Sequence, residues 1–139
     1  MKNTNIQEKI LTFIVNKNNQ LLLLKTNSND PQFHRSFYYV VTGSCEKQDK
    51  SKIETVKREV KEETNLDVIE TIYLNKIFQY NSLDKNCIEY VYLSRVNNIN
   101  VILNEEHIDY KWCDFNDFIE SIHWFEDKVN LIELLKPFF

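Results

Sequence analysis

The chain has 139 residues, a hydrophobic share of 42% and a formal net charge of −4 at pH 7, enough to bury a real core as one domain, 1–139, and not the profile of a disordered segment. A sequence pI near 5.4 argues against nucleic acid as a partner held by nonspecific charge. Cys45, Cys87 and Cys113 form no CxxC pair, which excludes a zinc ribbon or a disulfide frame and points to free thiols in a reducing compartment.

The opening MKNTNIQEKI lacks the apolar core of a signal peptide, and no apolar run approaches membrane-spanning length, so a soluble, cytoplasmic protein without a membrane partner is expected. Ile10 to Val15 and Gln20 to Leu24 are apolar runs around Asn16-Lys17-Asn18-Asn19. They predict two strands joined by a tight turn in which asparagine takes left-handed angles. Thr26 to Ser36, polar and containing Pro31, reads as a loop. Phe37 to Val41 is β-prone and delivers the chain to Gly43, the only glycine, where a sharp bend is expected.

From Ser51 the period changes. Ile53, Val56, Val60 and Leu66 form an apolar stripe at helical spacing, with Ser51 as N-cap, Glu54 completing a capping box and Asn65 as the left-handed residue past the end. Val68 to Tyr80 and Ile88 to Val96 alternate like strands around the turn-like Asn81 to Asn86. Val101 to Leu103 is short and apolar, Glu105-Glu106-His107 reads as a connection, and Tyr110 to Trp112 as the last strand. Asp114 or Asn116 caps a helix starting near Phe115. A final helix over Phe125 to Leu135 places Val129, Ile132 and Leu135 on one side, and Pro137 ends it. The order predicts an α/β fold, a mixed β-sheet sandwiched between helices.

The chemistry concentrates between Gly43 and Leu66. Glu59 shares a helical face with Glu62 and Glu63, and Arg58 lies one turn before Glu62. Taken alone, such a charge run is a solvated helical face. Three carboxylates gathered this closely also repel unless a cation sits among them, and hard oxygen donors suit Mg²⁺ or Mn²⁺.

Gly43 and Arg58-Glu59-Val60-Lys61-Glu62-Glu63-Thr64, followed by Leu66, resemble the box of the Nudix hydrolases: Gly, five residues, Glu, seven residues, then Arg-Glu-apolar-any-Glu-Glu-any-Gly-apolar. Asn65 stands where the pattern ends in glycine. Counting forward from Gly43 puts Asp49 in the place of the first glutamate, and counting back from Arg58 puts Lys50 there, because the connecting segment is one residue longer. Val41-Thr42-Gly43-Ser44 and Glu106-His107-Ile108-Asp109-Tyr110-Lys111-Trp112 extend the similarity to one bacterial branch, the dihydroneopterin triphosphate and dATP pyrophosphohydrolases.

The resemblance implies the following roles. Glu59, Glu62 and Glu63, the Gly43 carbonyl and Glu106 hold Mg²⁺, with Mn²⁺ able to substitute. Arg58 orients a box carboxylate, and Glu106 is a further ligand or general base, with Glu105 as its competitor. Lys25 is a candidate phosphate contact and Tyr39, or its neighbour Tyr38, a ring to stack on a base or pterin. His34 and His107 read as non-ligands. The implied activity is Mg-dependent cleavage of a nucleoside or pterin triphosphate to the monophosphate and pyrophosphate. The alternatives are another diphosphate (a dinucleoside polyphosphate, an oxidised nucleotide or an RNA end) or a non-catalytic nucleotide-binding domain. Aromatics at Trp124 and Phe138-Phe139, read as exposed, leave room for a homodimer.

Overall fold

The computed structural model describes residues 5–27, 36–82 and 84–139; His34 and most of the loop expected before Ser36 lie outside them. Strand β1 (Ile6–Val15) and strand β2 (Leu21–Thr26) are joined by the expected turn. Asn16 Oδ1 accepts from the N–H groups of Asn18 at 2.9 Å and Gln20 at 3.1 Å, and Asn19 takes φ 59°. The two strands pair only at Val15 and Leu21 and then diverge. That divergence splits the β-prone run after Phe37 into two strands, not one. Tyr38–Tyr39 (β3) pairs with β2, and Val41–Ser44 (β4) pairs with β1.

Helix α1 (Lys52–Thr64) follows, then β5 (Val68–Ser82), β6 (Lys85–Val96), β7 (His107–Cys113), α2 (Phe115–Ser121), α3 (Lys128–Leu135) and a closing 3₁₀ turn, Lys136–Phe138. The sheet runs β3-β2-β1-β6-β5, with β4 added beside β1 and β7 beside β2. The β1–β6 pair is parallel and the other pairs are antiparallel, so the sheet is mixed. In β5 the register shifts between Tyr73 and Ile77, where Asn75 has φ 56°.

Alternation along β1 and β2 feeds two cores. Leu11, Phe13, Leu21 and Leu23 pack against Phe118 of α2 and Leu131 and Leu135 of α3. Ile10, Ile14, Leu22 and Leu24 pack against Val56 and Val60 of α1. The sheet is therefore covered on both faces, as expected. Val101 and Leu103 form no strand. They pack on the second core, while the Ile102 N–H donates to the Thr64 carbonyl at 3.0 Å and satisfies the end of α1.

Local chemistry explains the helix limits. The Glu54 N–H donates to Ser51 Oγ, and Asn65 closes α1 at φ 63°, both as expected. Ile53 is 42% exposed and does not join the stripe. Asp114 caps α2. The last helix starts at Lys128, capped by Asp127, and buries Leu131 and Leu135 while Val129 stays exposed. Trp124 is not an exposed aromatic. It packs among Phe13, Tyr39, Phe78 and Phe125, with ring centroids 4.9–6.1 Å away, which removes it from the case for a homodimer. All three cysteines are free thiols, and among the described residues no helix is long and apolar enough to cross a membrane.

Candidate active site

Gly43 is not at a bend. It sits inside β4, opposite Ile10 of β1, with no positive φ. Its missing side chain serves a different end: the Glu59 carboxyl of α1 lies where a Cβ would stand. The lone glycine lets the helix lay a carboxylate directly on the strand.

Arg58 organises the surrounding acids. Its Nε and Nη2 grip Asp49 with two hydrogen bonds of 3.0 and 2.9 Å, and Nη2 also donates to the Ser44 carbonyl at 2.9 Å. Nη1 reaches Glu59 at 3.2 Å and Glu62 at 3.3 Å. Planar guanidinium donors suit such a fork. Asp49 further accepts from the Glu46 N–H and the Thr55 hydroxyl, each at 2.9 Å. Of the two ways of counting the lengthened segment, the forward one describes the geometry: Asp49 is the acid that anchors Arg58. The Arg58 guanidinium, ahead of the Glu46 and Thr55 donors, holds the Asp49 carboxyl well below the usual range.

Glu63 points the other way, into a cavity of about 880 Å³. It is 3% exposed and hydrogen-bonded to Glu59. Burial, followed by the charges of Glu106 and Glu59, pushes its carboxyl well up; burial also raises Glu59, against the pull of Arg58. Two buried carboxyls that share a hydrogen bond need a proton or a cation between them. With Glu62 beside them, the donor set fits a hard divalent ion. Among the described residues no three acids, histidines or cysteines stand close enough to form a ready ligand cage; Glu59 and Glu62 are both hydrogen-bonded to Arg58.

The facing wall comes from the connection before β7. Glu105 and Glu106 both line the cavity, but it is the Glu106 charge that acts on Glu63. Asn104 accepts from the Glu106 N–H at 3.1 Å and donates to its carboxylate at 3.3 Å, fixing the loop. His107 was read as a non-ligand, yet it stands in the site. Its buried Nδ1 has no hydrogen bond and lies 3.9 Å from Glu63, and burial pushes its pKa down to about 4, so the ring is neutral.

Tyr39 lines the cavity together with Phe37, Phe78 and Phe125. Lys25 does not. It pairs with Tyr38 across β2–β3 and lies 5.8 Å over that ring, away from the cavity. The register shifts between Lys25 and Thr26, and Thr26 is the one that lines the cavity. Lys9, Tyr80 and Glu89 also line the cavity, and the motif singled out none of them. One signal was available: Glu89 shares strand parity with the buried Val91 and Leu93, a carboxylate on an apolar stripe.

The NUDIX domain family model matches residues 6–135. The chain belongs to the Nudix family. It is accordingly a hydrolase of diphosphate bonds, with the mixed sheet and flanking helices of that fold. Solved Nudix structures superpose over almost its whole length. A MutT protein from Methanosarcina mazei Go1 is 20% identical at a TM-score of 0.74, covering 99% of this chain and 96% of that one. The NUDIX domain of Shewanella oneidensis NrtR, complexed with ADP ribose, is 20% identical at 0.70, covering 99% and 89%. The E. coli dihydroneopterin triphosphate pyrophosphohydrolase is 20% identical at 0.71, covering 94% and 95%. No curated protein matches the sequence. At these identities the structures speak for the fold of this Nudix chain, and its substrate must be argued from the cavity.

Proposed function

We propose that this Nudix hydrolase cleaves a nucleoside or pterin triphosphate, of the dihydroneopterin triphosphate or dATP type, to the monophosphate and pyrophosphate. The observation that carries the reading is that Glu63, Glu106 and His107 line one aromatic-walled cavity together, backed by the Arg58-held pair Glu59 and Glu62. A divalent cation, Mg²⁺ with Mn²⁺ able to substitute, supplies charge neutralisation and a more acidic water when bound there.

The protein's own groups do the rest. Glu59, Glu62 and Glu63, with the Gly43 backbone and Glu106, are the residues to hold that ion. Arg58 keeps Glu59 and Glu62 aimed and is itself clamped by Asp49. Glu106 stands on the open side, exposed, where it can take a proton from water. Tyr39 and its aromatic neighbours exclude water from the ring-bearing half of the substrate.

A panel of dihydroneopterin triphosphate, dATP, dinucleoside polyphosphates, ADP ribose and triphosphorylated RNA, incubated with Mg²⁺ and resolved by product, tests the reading. Pyrophosphate release from a triphosphate is expected; turnover confined to the other diphosphates would replace it. Glu62→Gln, at a half-exposed side chain, is expected to fold normally and to lose activity on the order of 100-fold. Parental activity in that variant would remove the assigned site and favour a non-catalytic binding domain.

A further inference from the structure

Besides the acids on its α1 side, the cavity is lined by a second polar group, Lys9, Tyr80 and Glu89. Lys9 of β1, Glu89 of β6 and Phe78 of β5 are consecutive partners in one row of the sheet. The row lies on the face that carries Leu11, Phe13 and Val91, and its Phe78 belongs to that apolar core. Glu89 is 4% exposed, lines the cavity and is not used by the hydrolytic machinery. The Tyr80 hydroxyl donates to its Oε2 at 3.2 Å, and Oε1 takes no hydrogen bond from the described residues. Oε1 is not a sealed, orphaned atom of the core; on a residue that lines the cavity, it is open to a donor that enters there. Lys9 provides charge from its side, which together with Tyr80 opposes the upward push of burial on the carboxyl.

Resting on the hydrolase reading above, we infer that Glu89 is the specificity-determining residue for the substrate's ring, accepting two adjacent N–H donors from the 2-amino-oxopyrimidine edge that guanine and pterins share. The surroundings favour a flat ring. Phe37, Tyr39, Phe78 and Phe125 add aromatic faces to the same cavity. The phosphates belong with the cation that Glu63 and its acidic neighbours are proposed to hold, which leaves the ring for Glu89. A carboxylate offers only acceptors. The guanine or pterin edge offers a ring N–H beside an amino group and satisfies it, whereas adenine sets an acceptor nitrogen beside its amino group and leaves one oxygen facing a lone pair. Glu89 thus separates a pterin or guanine triphosphate from dATP within the class proposed above.

The test has two arms. In the first, kcat and KM for dGTP, dihydroneopterin triphosphate and dATP are measured with Mg²⁺ for the parent, Glu89→Gln and Tyr80→Phe. Glu89→Gln, which keeps the shape but turns one acceptor into a donor, is expected to lower the dGTP-to-dATP ratio of kcat/KM at least about tenfold, chiefly through KM. Tyr80→Phe is expected to lower it in the same direction by less, and covers the case in which Glu89→Gln does not fold. An unchanged ratio, or an equal loss on all three substrates, would overturn the assignment. The second arm measures binding of 2′-deoxyguanosine, neopterin and 2′-deoxyadenosine by calorimetry. Should the parent hydrolyse no triphosphate, the hydrolase reading fails and this arm alone decides on Glu89. Weaker deoxyguanosine and neopterin binding in Glu89→Gln supports the assignment. Failure of both to bind the parent, or preference for deoxyadenosine, rejects it.

Discussion

Glu59 lies on Gly43 so closely that its carboxyl occupies the space a Cβ would need. A helix and a strand are thereby joined at the one position where neither backbone conformation nor a turn calls for glycine. Gly43→Ala is expected to displace Glu59, since the clash falls on the far end of a flexible side chain. Overpacking of this sort costs about 1–3 kcal/mol, toward the low end here. Hydrolysis should fall far more than stability, on the order of 100-fold. Thermal melting beside kcat measurement checks this; parental kcat in the alanine variant would show that Glu59 has no fixed place in the reaction.

Asp49 is bound to Arg58 by two hydrogen bonds along one guanidinium edge, and its side chain is 6% exposed. Asp49→Asn leaves Arg58 without its charged partner and should cost about 2 kcal/mol, with a loss of activity as Glu59 and Glu62 lose their aim. The pH dependence has a definite sign. A carboxyl held below its ordinary value stabilises the fold fully above about pH 4 and gives that stability up as pH falls further. The parent should therefore lose stability below about pH 4 more steeply than Asp49→Asn, as read by melting temperature against pH. Parallel curves would mean that Asp49 is not coupled to folding.

Glu63 is buried beside Glu59, and the neutral His107 gives it no counter-charge. Without a cation the protein carries a buried negative charge or an extra proton there. Glu63→Gln should accordingly melt at or above the parent's temperature in EDTA. With Mg²⁺ at one hundred times its dissociation constant, the parent gains about 2.7 kcal/mol and the order reverses. A parent that melts identically in EDTA and in Mg²⁺ would remove the cation from this site.

Glu105 and Glu106 are neighbours on one loop, but the Glu106 charge is the one that reaches Glu63. Glu106→Gln should lower kcat by at least about tenfold, within the range of a lost general base, while Glu105→Gln leaves it within about twofold. Equal effects would mean that the loop acts through its net charge alone.

The sequence by itself determined α1 and what it carries. Ser51, the Val56–Val60 stripe and Asn65 are local devices: capping bonds and helical spacing act within a few residues, so α1 ends where its own side chains end it. The same locality made Arg58, Glu59, Glu62 and Glu63 legible as one cluster, and made the apolar runs of β1 and β2 and the alternation of β6 legible as strands. What lies opposite each residue was decided only by the tertiary structure. Gly43 read as a bend because its real reason, the Glu59 carboxyl sixteen positions on, is a contact between elements. The split of β3 from β4 follows from the divergence of β1 and β2, and Thr26, not Lys25, lines the cavity past the register shift between them. Asp49 and Lys50 were equal by counting, and the guanidinium of Arg58 chose between them. Glu89 belongs to the same group: an acid in a strand pattern becomes a recognition element only when Tyr80, Lys9 and an open cavity are brought around it. Hydrogen-bond geometry and burial are relations across the sheet, and they exist only once the chain has folded.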